Sequence, residues 1–233
     1  MESRQGKTSK KAEPLKTLQI IATLMLTLVS VGCSGGAFIN SKGSVEIELK
    51  NYYSNPPNLR IGSKFVYQDL NSSDGKPGKV TMEVEERKEF EHKQAYWIKV
   101  TGKENSYFNV YDMNLNWIGL FGDGKELESV EPCLQIFKWP LKIGEKWITE
   151  YTFRDYSDSS HGVYIQTSNV SVNIRTYEEV KVPAGVFKAL RIQVGGATFW
   201  YAPSIGWIVK EQTESDHQME ILELVEYNIP QST

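Results

Sequence analysis

The sequence predicts an all-β fold of antiparallel sheets, on three observations. Apolar and polar residues alternate in short segments, as where Leu190, Ile192 and Val194 interleave with Arg191 and Gln193. Tight-turn residues punctuate these segments. Gly195-Gly196 suits a two-residue reversal, and Val182-Pro183-Ala184-Gly185 has proline and glycine where a three-residue hairpin tip wants them. The third observation is repetition in a fixed order. Tyr111, Trp117 and Ile118 recur 90 positions on as Tyr201, Trp207 and Ile208; Leu59-Arg60-Ile61-Gly62 recurs 82 positions on as Leu141-Lys142-Ile143-Gly144. Between them Val80-Thr81-Met82-Glu83-Val84 matches Val170-Ser171-Val172-Asn173-Ile174. The pattern predicts two similar meander modules forming a curved half-barrel or a sandwich. Tyr111 and Tyr201, Trp117 and Trp207, and Phe65 and Trp147 would then hold equivalent places, pair by pair.

Residues 1–32 read as a lipoprotein signal peptide. Met1 to Lys16 is basic, and Leu18 to Val31 is an apolar run too short for a comfortable transmembrane helix. The run exits through Ser30-Val31-Gly32-Cys33, which resembles a bacterial lipobox with Ser30 where leucine is more usual. That resemblance implies a diacylglyceryl thioether on Cys33 and an acylated amino group, hence palmitate-type anchoring to a membrane. Ser34, rather than aspartate, follows Cys33, which implies the outer membrane if the envelope is Gram-negative. Residues 33–44 then make a flexible tether.

Ser44–Leu49 alternates and reads as a strand, and Asn51–Pro57 as a loop. The first module, 45–130, has further strands near Lys64–Leu70, Lys79–Glu89, Ala95–Thr101, Tyr107–Tyr111 and Leu115–Phe121. Gly122–Pro132 reads as a connection. The second module, 131–233, has strands near Lys146–Phe153, Gly162–Tyr177, Phe187–Val194, Thr198–Tyr201, Trp207–Glu211 and Met219–Tyr227. No helix is expected after the signal.

Composition narrows the function. Residues 1–32 hold five of the 26 basic but only two of the 29 acidic residues, so the mature part is net acidic. It keeps no basic cluster, which argues against a nucleic-acid partner. With Cys33 acylated, Cys133 is left alone, so no internal disulfide is available; it reads as a small apolar residue beside Leu134 and Ile136. His92, His161 and His217 stand apart, without metal-ligand spacing, and neither a metal nor another cofactor is expected. Gly32-Cys33-Ser34-Gly35-Gly36 matches a nucleophile elbow only in letters, because it straddles the signal cleavage site. Ser157-Asp158-Ser159-Ser160-His161 reads as a solvated loop rather than a hydrolase site. No catalytic residue is assigned. The residues that could line a ligand cleft are aromatic: Trp117, Trp147, Trp200, Trp207, Tyr111 and Tyr201, with Trp200 facing away from its neighbours Phe199 and Tyr201.

Four segments carry a family resemblance: Leu141-Lys142-Ile143-Gly144-x-x-Trp147, Val180-x-Val182-Pro183-Ala184-Gly185-x-Phe187, Trp200-Tyr201-Ala202-Pro203-x-x-Gly206-x-x-Val209-Lys210, and Glu223-Leu224. In them the second module resembles an uncharacterised family of bacterial secreted and lipoprotein β domains, of the TapB-like or a related domain-of-unknown-function type. The resemblance implies an envelope β protein and brings no activity or catalytic residues with it. The expected function is binding of an apolar ligand or an envelope protein partner by a lipid-anchored domain. An envelope hydrolase with a loop-built site, or a structural accessory of an envelope assembly, are the alternatives.

Overall fold

Among the described residues every regular element is a strand, because turns recur and the alternation seldom breaks. The structure, a computed structural model, describes residues 54–70, 78–103, 105–157, 162–215 and 218–231. Cys33, the signal and tether, the Ser44–Leu49 strand, His161 and His217 lie outside the described residues. The strands are β1 (Lys64–Asp69), β2 (Gly78–Phe90), β3 (Lys93–Thr101), β4 (Ser106–Asp112), β5 (Trp117–Gly122) and β6 (Lys125–Leu134). They continue as β7 (Lys146–Asp155), β8 (Tyr164–Val182), β9 (Gly185–Val194), β10 (Ala197–Ala202), β11 (Trp207–Ser215) and β12 (Gln218–Asn228). Each strand pairs antiparallel with its sequence neighbours, and β1 pairs with β12.

The result is one closed barrel, where a half-barrel or sandwich of two sheets was expected. Closure depends on the β1–β12 ladder, in which Lys64 opposes Asn228 and Asp69 opposes Leu222. Both halves of the repeat therefore belong to a single continuous sheet. The divide expected at 130/131 falls inside β6. That strand was read as a connection because Glu126–Pro132 is acidic and contains proline. Its hairpin signal is Asp123-Gly124, two residues with φ of +53° and +74° between the paired Gly122 and Lys125. Pro132 is tolerated because β5–β6 pairing jumps from Gly119–Ser129 to Trp117–Leu134, leaving no ladder bond for it to donate.

The repeated segments form the same local structure twice. Gly62 donates to Val84 O, Val84 to Ser63 O, and Ser63 to Arg60 O. Gly144, Ile174 and Glu145 make the corresponding bonds to Ile174 O, Glu145 O and Lys142 O. A bulge follows in each partner strand, between Val84 and Glu86 and between Ile174 and Thr176. Tyr111 and Trp117 lie on β4 and β5, Tyr201 and Trp207 on β10 and β11, and all four side chains join the interior cluster.

Inward side chains fill the barrel. Trp117, Tyr67, Tyr96, Tyr201, Phe65 and Ile98 are among the largest fully buried ones. One end is plugged by residues from the connections, with Leu59, Leu115, Ile136, Phe137, Leu141 and Ile205 all in the same cluster. The Leu59 segment is held there by the Tyr96 hydroxyl, which accepts from Leu59 N at 3.2 Å. A smaller cluster of Phe90, Ala95, Trp97, Val110 and Ile118 sits on the other face of β2–β5, with Lys88 Nζ 3.8 Å from the Trp97 ring centre. Cys133 packs there rather than beside Leu134, and burial pushes its thiol up to about 11.

One of the two turns singled out in the sequence differs in detail from expectation. The β8–β9 tip has two loop residues, not three, since Val182 pairs with Gly185. It is also less exposed than a free tip, because Ala184 N donates to Leu224 O at 3.0 Å and folds the tip onto β12. The Gly195-Gly196 reversal matches its reading. Gly195 has φ of +53°, and a Cβ there would lie 2.9 Å from Val170 Cγ2. Gly195→Ala is therefore expected to cost about 1–2 kcal/mol from the left-handed backbone alone, read as a lowered urea midpoint with unchanged slope.

Candidate functional site

Alternation puts the odd-numbered residues Tyr107, Asn109 and Tyr111 of β4 inside, together with Tyr67 of β1 and Glu211 of β11. Tyr67, Tyr111 and Glu211 line a cavity of about 50 Å³, together with Trp117, Tyr201 and Trp207. Plug residues Leu115, Ile136 and Phe137 complete its other side. That volume holds a few water molecules and no more. Trp207 stacks on Phe65 with centroids 5.4 Å apart and meets Tyr111 edge-on at 5.8 Å.

The polar groups here are unevenly satisfied. Trp117 Nε1 donates to Asn109 Oδ1 at 3.3 Å, and the Tyr67 hydroxyl donates to Ile208 O at 2.7 Å. Among the described residues, Asn109 Nδ2 and Trp207 Nε1 are buried without a geometrically sound hydrogen-bond partner. The Trp207 indole nevertheless acts on the Tyr67 hydroxyl, opposing the upward shift that burial and then Glu211 impose on it.

Glu211 is buried and accepts from Thr213 Oγ1 at 3.3 Å. Burial raises its pKa to about 7, with the Glu220 carboxylate adding to the shift. Glu128 of β6 behaves likewise: burial, then Asp155 across the β6–β7 ladder, raises it to about 7. Its Oε2 has no partner. Tyr107 senses both carboxylates and is pushed up to about 12, chiefly by burial. Burial, with Glu211 second, also lifts Tyr111 well above the usual phenol range.

Of the six aromatic residues singled out as cleft candidates, the structure brings Tyr111, Trp117, Tyr201 and Trp207 together around the cavity. It separates the other two. Trp147 is half-buried at the barrel rim, donating to Gln135 O at 2.9 Å. Trp200 faces outward, where Nε1 donates to Glu178 Oε1 at 2.8 Å and Arg191 and Lys210 each approach its ring to 5.6 Å. Sequence reasoning passed over Glu211, Glu128 and Tyr67. The signal was present: in Trp207, Val209, Glu211 and Thr213 a carboxylate occupies the apolar register of a strand.

No family model matches the chain, and no curated protein matches it. Solved structures similar to it include some described as an exported protein or a lipoprotein. They include the hypothetical lipoprotein YmcC of Escherichia coli, at 10% identity over 83% of this chain and 100% of that one, TM-score 0.40. A Bacteroides fragilis protein described as exported and of YmcC-like fold covers 76% of this chain and 99% of its own, at 15% identity and TM-score 0.38. A Parabacteroides distasonis protein described as a lipoprotein covers the same shares, at 11% identity and TM-score 0.34. At such identities and TM-scores the likeness says nothing about activity.

Proposed function

We propose that this chain is a lipid-anchored protein of the bacterial cell envelope that binds a protein partner through its outer surface and performs no catalysis. The observation that carries the reading is the filled barrel. With about 50 Å³ free inside, an acyl chain has no room. This favours a protein partner over the apolar ligand, and it leaves the outside of the sheet for recognition. The anchor rests on the basic start, the short apolar run and Gly32-Cys33. Outer-membrane placement follows from Ser34 if the envelope is Gram-negative.

Two measurements test this. Cys33→Ser should move the protein from the membrane to the soluble fraction, or leave it as unprocessed precursor. Unchanged mass and detergent partitioning would remove the anchor. Native mass spectrometry of the same full-chain variant should show the bare polypeptide mass. A lipid retained at one per chain would restore the apolar-ligand reading.

A further inference from the structure

One strand of the closed barrel keeps a bare edge. β8 pairs with β7 from Tyr164 to Asn173, but with β9 only from Val172 onward. In the β9–β10 turn, Gly195 N still reaches Ser171 O. Above that bond, among the described residues, no strand pairs with Tyr164–Val170 on the β9 side. Main-chain groups alternate in direction along a strand, so Ile165, Thr167 and Asn169 aim their N–H and C=O groups the same way as Ser171. Edges are normally blunted by charge or proline. Tyr164–Ser171 has neither, and Tyr164 and Ile165 are more than half exposed. In the first half of the repeat β2 extends beyond its β3 pairing, among the described residues, only over Gly78–Val80, with Lys79 in that stretch.

The shape beside this edge selects what can lie on it. β10 starts at Ala197, level with Val194, while β11 runs past Ala197 to Ser215. The β9–β10 hairpin therefore stops short of the strands on both sides, leaving a notch two strands wide, about 10 Å of ladder. The β7–β8 hairpin of a second copy has that width. The edge also complements itself. An antiparallel pair centred on Thr167 uses Ile165, Thr167 and Asn169 at once, with Ile165 opposite Asn169 and Thr167 opposite Thr167. It sets Tyr164 opposite Val170 twice, an aromatic against a β-branched residue, and threonine against threonine, both favourable pairings. The chain has a net charge of −3, yet no like charges meet along this stretch.

We propose that the protein forms a two-fold dimer in which β8 of each copy pairs antiparallel with β8 of the other about Thr167, each β7–β8 hairpin lying in the other's notch. A two-fold pair uses up both edges, so assembly stops at two copies. The dimer employs main-chain groups of one edge and leaves the outer face of the sheet to the protein partner proposed above, so either can fail alone.

The test is oxidative cross-linking of the full-length protein in membranes and in mild detergent, with light scattering in detergent. Paired residues at the axis lie about 5.5 Å apart between Cα atoms, within disulfide range, whereas the two copies of residue 165 are about 14 Å apart. Thr167→Cys should therefore give a disulfide-linked dimer at least about tenfold faster than Ile165→Cys or the unsubstituted chain. A mixture of Ile165→Cys and Asn169→Cys chains should link to each other. Thr167→Lys sets two lysines face to face and should weaken the dimer at least about tenfold. Circular dichroism checks its fold, and if it is unfolded the cysteine variants decide alone. A monomer at all concentrations would overturn the proposal and leave the edge to another segment, either of this chain before residue 54 or of a different protein. Equal linking through residues 165 and 167, or an unweakened dimer in a folded Thr167→Lys variant, would overturn it too.

Discussion

Between pH 5 and pH 8 the barrel is expected to lose stability as the pH rises, the reverse of the usual behaviour of carboxylate-rich proteins. Glu128 and Glu211 have folded-state pKa values of about 7 against a reference of 4.5. Below 4.5 both the folded and the unfolded chain hold these protons, and the two groups cost nothing. From there to about 7 the unfolded chain has released them while the folded chain keeps them, so each unit of pH favours unfolding. Above about 7 the folded chain also ionises and the loss levels off. A shift of this size corresponds to about 3 kcal/mol for each carboxylate over the full interval, most of it above pH 5. Urea unfolding at pH 5, 6, 7 and 8 should trace the decline, and Glu211→Gln should flatten about half of it while raising stability at pH 8. A free energy of unfolding that is level or rising across this range would show that the two groups are solvated or paired.

The second large effect separates two tryptophans that the repeat makes equivalent. Trp117 and Trp207 are both buried in the barrel, and truncation of either to alanine should cost about 3–5 kcal/mol through lost burial and the cavity left behind. Their indole nitrogens differ. Trp117 Nε1 donates to Asn109 Oδ1, whereas Trp207 Nε1 has no geometrically sound partner. Trp117→Phe therefore breaks a buried hydrogen bond and leaves the Asn109 side chain without a partner, whereas Trp207→Phe keeps the stack on Phe65 and gives up only the weaker contact with the Tyr67 hydroxyl. The first substitution should cost about 1–3 kcal/mol more than the second. Equal losses in chemical denaturation would mean that packing alone sets the value of both residues.

Local signals in the sequence reached most of the strands. Leu190-Arg191-Ile192-Gln193-Val194 and Gly195-Gly196 carry their own geometry, and β9 and β10 follow from them. Closure was not legible, because it depends on β1 finding β12 across the whole chain, and alternation within a strand does not name its partner. β6 was hidden by its acidic composition, although Asp123-Gly124 marked its start. At the site the repeat pointed to Tyr111, Trp117, Tyr201 and Trp207, residues whose size makes them conspicuous. Glu211 is conspicuous only once Trp207, Val209 and Thr213 are known to face inward, and burial, not residue type, gives it its chemistry.

For a chain anchored as proposed, closure of the sheet also bears on how copies would meet at a membrane. Lipid anchors confine proteins to two dimensions, where encounters between neighbours are frequent. An open sheet would offer its terminal strands to every neighbour, and row upon row of main-chain amides could then polymerise. Here β1, which would have been one rim, is spent on β12. The lower part of β7, beyond the four residues that pair with β6, is overlaid by the connection at Gln135, whose amide donates to Thr149 Oγ1 and whose carbonyl accepts from Trp147. Crowded side by side, such barrels present side chains to each other rather than backbone everywhere but along the part of β8 that β9 does not reach, so that most recognition among them is left to chemistry that evolution can tune one residue at a time.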